Sequence, residues 1–182
     1  LEHPVLSGRV YATDGEIHGV PYNVIQGNLL MTSDEIIFDS IHWKDNKGRH
    51  VVTGAIGLKN EKKLNLQINS SNIRIENILK AGNLPYEVTG WVDNDMTITG
   101  TIDMPIIDGD IVARNGSVMG ELFQSFSTHY SYKNGQLSLN NGMGNIYDSN
   151  ILLHGNISSD ALDLEVNLTN VDVRRILQKD SV

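Results

Sequence analysis

The chain has 182 residues, 40% of them hydrophobic and 20% charged, enough for one sizeable domain or two small ones. A net charge of −8, with no basic run interleaved with aromatics, argues against nucleic acid and against docking on anionic head groups; the lack of cysteine excludes disulfides and thiolate chemistry. No window approaches the roughly 18 apolar residues of a membrane span and no signal peptide opens the chain, so it reads as a soluble piece of something longer.

In chain order, the first signal is "GRVYATDGEIHG" (Gly8 to Gly19), where Asp14-Gly15 predicts a two-residue hairpin, because type I′ turns need positive φ at both central positions. Trp43, in "IHWKDNKGRH", is expected to top a hairpin that the second repeat lacks. Leu64, Leu66 and Ile68 then alternate with Asn65, Gln67 and Asn69, which predicts a strand wet on one face only. A short helix follows over 73–81, capped by Asn72 or a neighbour and ending near Gly82. "VTGWVDNDMTITGTID" (Val88 to Asp103) predicts a further hairpin, with Met96, Ile98 and Ile102 opposed to Thr97, Thr99 and Thr101. Asn115-Gly116 and Asn134-Gly135 give two more hairpin signals. Leu162, Leu164, Val166 and Leu168 alternate with Asp163, Glu165 and Asn167, and Asp172 caps a second helix over 172–178. The pattern gives on the order of fifteen strands, hence a sheet roughly 70 Å long at about 4.8 Å per strand.

The phrases also recur. Gly8, Gly15 and Gly19 match Gly109, Gly116 and Gly120, 101 positions on (109 − 8), as Pro4 matches Pro105 and Gly54 matches Gly155. "LNLQINSSNIRIENIL" at Leu64 matches "LDLEVNLTNVDVRRIL" at Leu162, while "GNLLM" at Gly27 fits "GQLSL" at Gly135 only with insertions on either side. An ordered match with slack at turns is the mark of a structural repeat. The expected organisation is a first β repeat with its linking hairpin over 1–107 and a second over 108–182, both in one continuous sheet.

Nothing in the sequence points to an enzyme. Six histidines stand in no metal-ligand spacing, the "DGD" at Asp108 lacks the distal glutamate of a calcium loop, and no serine has a nucleophile-elbow context. No metal or cofactor is expected.

The run from Val88 to Gly120 resembles the repeat unit of the AsmA-like family, most of all its TamB branch, in which a glycine-closed hairpin leads into a Pro-x-x-x-Gly step and a strand ending in Asn-Gly or Asp-Gly. The resemblance implies an all-β fold, an elongated, curved antiparallel sheet forming an open groove or "taco". It implies a place in the periplasm and cell envelope of a diderm bacterium, with an inner-membrane anchor elsewhere. The implied function is carriage of phospholipid acyl chains between the membranes, with neighbouring repeats of the same chain as partners. The alternative is a scaffold for outer-membrane β-barrel proteins, binding client strands at the sheet edges. By shared phase in the alternating strands, the groove is expected to be lined by Leu64, Leu66 and Ile68, then by Val92, Met96, Ile98 and Ile102. Ile111 and Val118 follow, then Leu137, Leu139 and Leu153, and finally Leu162, Leu164 and Val166.

Overall fold

A computed structural model describes residues 4–17, 20–45, 47–59, 61–81, 87–118, 120–146 and 149–170. They form one open antiparallel sheet of eleven strands whose order in space is their order in sequence. The first five are β1 (Leu6–Ile17), β2 (Val20–Met31), β3 (Glu35–Asp45), β4 (Gly48–Gly57) and β5 (Leu64–Arg74). One helix, α1 (Ile75–Ala81), leads into β6 (Val88–Gly100). The rest are β7 (Pro105–Val118), β8 (Glu121–Lys133), β9 (Gln136–Ile146), β10 (Ser149–Ile157) and β11 (Leu162–Thr169). Eleven strands at about 4.8 Å span roughly 50 Å, not the expected 70.

Part of the shortfall from fifteen has local causes: "VTGWVDNDMTITGTID", expected to be a hairpin, is the single strand β6 and the turn after it. Asn134-Gly135 is the two-residue turn between β8 and β9, with φ of 52° and 79°. Asp14-Gly15 and Asn115-Gly116 are not turns: they lie inside β1 and β7, with Asp14 at φ 52° and Asn115 at φ 48°. Opposite Asn115-Gly116 the register of β6 slips between Thr89 and Trp91, so the dipeptide makes a β-bulge. Neither strand that these dipeptides were expected to cut in two is interrupted there.

The helix begins two residues later than expected, and Asn72 does not cap it. Asn72 stays in β5 at φ 57°, where the pairing with β6 shifts between Ser70 and Ile73. Its backbone N–H donates to Asp93 Oδ1 at 2.7 Å and its Nδ2 donates to the Lys47 carbonyl at 3.2 Å. The second expected helix, over 172–178, and Gly82 lie outside the described residues.

Strand ends and backbone angles recur along the chain. β3 and β9 have bounds 101 apart, and β4 begins at Gly48 where β10 begins at Ser149. Positive φ recurs at Asp14 and Asn115, at Gly54 and Gly155, and at Asn72 and Asn170. Gly27, by contrast, sits at a register shift inside β2, whereas Gly135 is in a turn, so these two glycines do not correspond. The β3–β4 hairpin, with Trp43 opposite His50, was expected to be missing from the second half of the chain, but β9 and β10 pair at the matching positions. The boundary expected between 107 and 108 falls inside β7.

Pairing sorts side chains onto two faces. Ile56 is opposite Leu64, Leu66 opposite Ile98, Ile98 opposite Ile107, and Val92 opposite Ala113, all on one apolar face. The other face is polar: Asn69 stands opposite Asp95, Asp95 opposite Asp110, and Asp110 opposite His129. There His129 bridges two carboxylates, Nδ1 at 3.1 Å from Asp110 and Nε2 at 3.3 Å from Asp108. Among the described residues the buried apolar core is small, comprising Ile73, Val92, Ala113 and Phe123, with Ile75, Ile111, Phe126 and Ile146 packed against the cluster of the last three.

Candidate functional site

The apolar face deepens into one pocket of about 460 Å³ over β6–β10. Its wall on one side is α1, which contributes Ile75, Ile78 and Leu79. The helix reaches this place because β5 ends two residues past the Asn72 bulge, which turns Ile73 back into the buried layer opposite Val92 before the helix starts. The floor comes from Val92, Ile111, Ala113, Phe123 and Phe126, and the far side from Leu137, Leu139, Ile146 and Ile151.

No charged side chain is among the described residues that line it, and its polar groups are already engaged. Tyr130 Oη donates to Asn94 Oδ1 at 3.0 Å, Thr128 Oγ1 to the Asn140 carbonyl at 3.0 Å, and Ser125 Oγ to Asn145 Oδ1 at 3.1 Å. Burial pushes the Tyr130 hydroxyl pKa up, against the opposing pull of its bond to Asn94. The pocket therefore offers close van der Waals contact and no charge to bind or to react with. Among the described residues, no group of three or more His, Asp or Glu stands ready to hold a metal ion.

A second feature of the same face lies on β3–β5. His50 stacks on Trp43 with ring centroids 4.9 Å apart, and its Nδ1 is 2.9 Å from Ser70 Oγ. Burial lowers the His50 pKa, outweighing the nearby Asp45 carboxylate and favouring the uncharged ring. The polar face has its own ion pair, Arg114 donating to Asp93 Oδ2 at 2.6 Å. That bond, helped by the Asn72 N–H, holds the Asp93 carboxyl below its usual range.

Of the residues expected on the lining, Val92, Ile111, Val118, Leu137 and Leu139 line the pocket. Leu64, Leu66, Ile68, Met96 and Ile98 lie on the same face, on β5 and β6, outside it. So do Leu153, Leu162, Leu164 and Val166 on β10 and β11, where Leu162 is 70% exposed. Ile102 lies beyond the end of β6, half exposed, and shares no strand phase with the others.

The sequence reading missed the α1 wall and the two phenylalanines. Phe123 and Phe126 are three apart, which breaks strand alternation; a register shift between Phe123 and Ser125 brings both to one side. An aromatic pair at spacing three within an otherwise alternating strand was the available signal. Compared with known families, curated proteins and solved structures, the chain matches none.

Proposed function

We propose that this chain is a segment of an AsmA-like, TamB-type envelope protein, built of two tandem β units, whose apolar sheet face carries phospholipid acyl chains between the inner and outer membranes of a diderm bacterium. The observation that carries the reading is the pocket under α1. Its walls are mostly Ile, Leu, Val and Phe, its polar side chains are hydrogen-bonded to one another or to the backbone, and the apolar residues of β5 and β10–β11 lie on the same face. A chain of methylenes gains about 0.8 kcal/mol per buried CH₂ and needs no directed contact, which suits such a surface. The paired strand bounds and the three paired positive-φ positions support the two-unit organisation. Two units joined edge to edge in one sheet would extend the apolar face as a track rather than enclose it as a core.

The test is direct. A photo-crosslinking amino acid at Leu139, on the pocket wall, should trap phospholipid in cells, and one at Thr97, on the polar face, should not. Equal trapping at both positions, or none at Leu139 while lipid extracts of the purified protein are empty, would refute the reading.

A further inference from the structure

The outer edge of β1 already has the shape with which β7 receives β6. In β7, Asn115 stands at φ 48° with Gly116 after it, and β6 accommodates them by its slip at Gly90, φ 134°. A side chain at Gly90 would sit 3.0 Å from Gly116 Cα and 3.1 Å from the Arg114 carbonyl oxygen. A side chain at Gly116 would run into the Thr89 carbonyl. Glycine on both strands lets the backbones close.

β1 repeats half of this joint. Asp14 stands at φ 52° with Gly15 after it. Gly15 lies opposite Tyr22, whose ring takes the place that Phe123 takes beside Gly116. Yet the positive φ at Asp14 does nothing for β2: that register runs unbroken, Thr13 opposite Val24 and Gly15 opposite Tyr22. The positive φ serves only the other edge, and among the described residues that edge pairs with nothing. Its twelve residues, "LSGRVYATDGEI", hold no lysine and no proline, and their charges are Arg9, Asp14 and Glu16. One difference between β1 and β7 favours an incoming strand. Asp95 of β6 faces Asp110, a like charge; the residue of β1 that stands where Asp110 does is Arg9.

We propose that the outer edge of β1 is a register-specific acceptor for one antiparallel strand of the β6 kind, supplied by a further copy of the same structural unit. Such a strand brings a glycine to face Asp14-Gly15, an acidic residue to face Arg9, and alternate apolar residues that extend the apolar face. The inference is independent of what that face carries.

The test adds a labelled synthetic peptide of the β6 sequence, "VTGWVDNDMTITG", to the full 182-residue chain. Binding is read by fluorescence anisotropy and located by hydrogen exchange. The amides of Leu6–Ile17 should gain protection. The Gly90→Val peptide should bind at least tenfold more weakly. In the protein, Asp14→Gly should keep the affinity, because glycine takes positive φ freely, and Asp14→Val should lose it while the circular dichroism of the sheet is unchanged. The peptide variant leaves the protein untouched, so its result stands even if Asp14→Val unfolds β1. Absence of binding, or protection confined to Leu162–Thr169, overturns the proposal. Equal binding of the Gly90→Val peptide also overturns it, by making the edge a general strand-capturing surface.

Discussion

Phe123→Ala is the most informative perturbation of the core. The ring is 7% exposed, packed with Val92 and Ala113, and a side chain on Gly116 would stand only 2.6 Å from its Cζ. An aromatic ring buries on the order of 150 Å² at the low end, which at about 25 cal/mol per Å² is nearly 4 kcal/mol. Phe→Ala changes in cores cost about 3–5 kcal/mol. Here the pocket beside the ring is open, so solvent can enter the space left behind and the lower end, about 3 kcal/mol, is expected. That is a large part of a total stability of about 5–15 kcal/mol. Urea unfolding should show it as a lower midpoint at an unchanged slope. Leu162→Ala, at a side chain 70% exposed, is the control and should cost less than about 0.5 kcal/mol. A loss under about 1 kcal/mol for Phe123→Ala would mean that β6, β7 and β8 are not held by this cluster, and the packing argument would fail.

Asp93 has its folded pKa depressed by Arg114, so the stability it contributes is present above about pH 4 and is lost as pH falls through the lower folded value. Both side chains are more than a third exposed, so solvent screening limits the effect to about 0.5 kcal/mol; Asp93→Asn should flatten the acid limb of a stability profile by that amount, and 1 M salt should shrink it. His50 is also depressed, below 6.5, and as pH falls under that value the unfolded chain takes up the proton first and stability drops. The melting temperature of His50→Phe should therefore fall less between pH 7 and pH 5 than that of the parent, and parallel curves would show that the ring is not buried. At Asn72, φ 57°, glycine should be tolerated to within the loss of the bond to Lys47, whereas Asn72→Val should cost roughly 1–2 kcal/mol more by thermal unfolding.

What could be read from the sequence, and what could not, divides along one physical line. Alternation in "LNLQINS" gives the apolar phase of β5 because a strand's side chains have period two and one face meets water. The same reasoning carries to Val92, Ile111, Leu137 and Leu139, whose pairings keep them on that face. Asp14-Gly15 and Asn115-Gly116 misled because an Asn or Asp before glycine specifies positive φ, and a hairpin turn and a bulge need it equally. Of the three dipeptides, Asn134-Gly135 alone reverses the chain, because only there do the residues on either side pair with each other. Ile102 failed for the opposite reason: its phase was extrapolated past Gly100, where φ is 83° and alternation stops. The pocket as an enclosed shape was out of reach, since its lining comes from α1 and from β6 to β10, and no local pattern records which distant elements meet.

The sequential strand order bears on how the molecule responds to tension. Among the described residues every ladder joins a strand to the one just before or just after it in the chain, so a load along the chain meets the sheet one strand at a time. Each strand of 8 to 14 residues that comes free releases about 3.5 Å per residue, giving steps of roughly 30–50 Å instead of a single rupture. Peeling from β1 or from β11 should begin at low force and stall at β6–β8, where Val92, Ala113 and Phe123 lock three neighbours together. A protein of this kind stretches from its margins inward and keeps its middle.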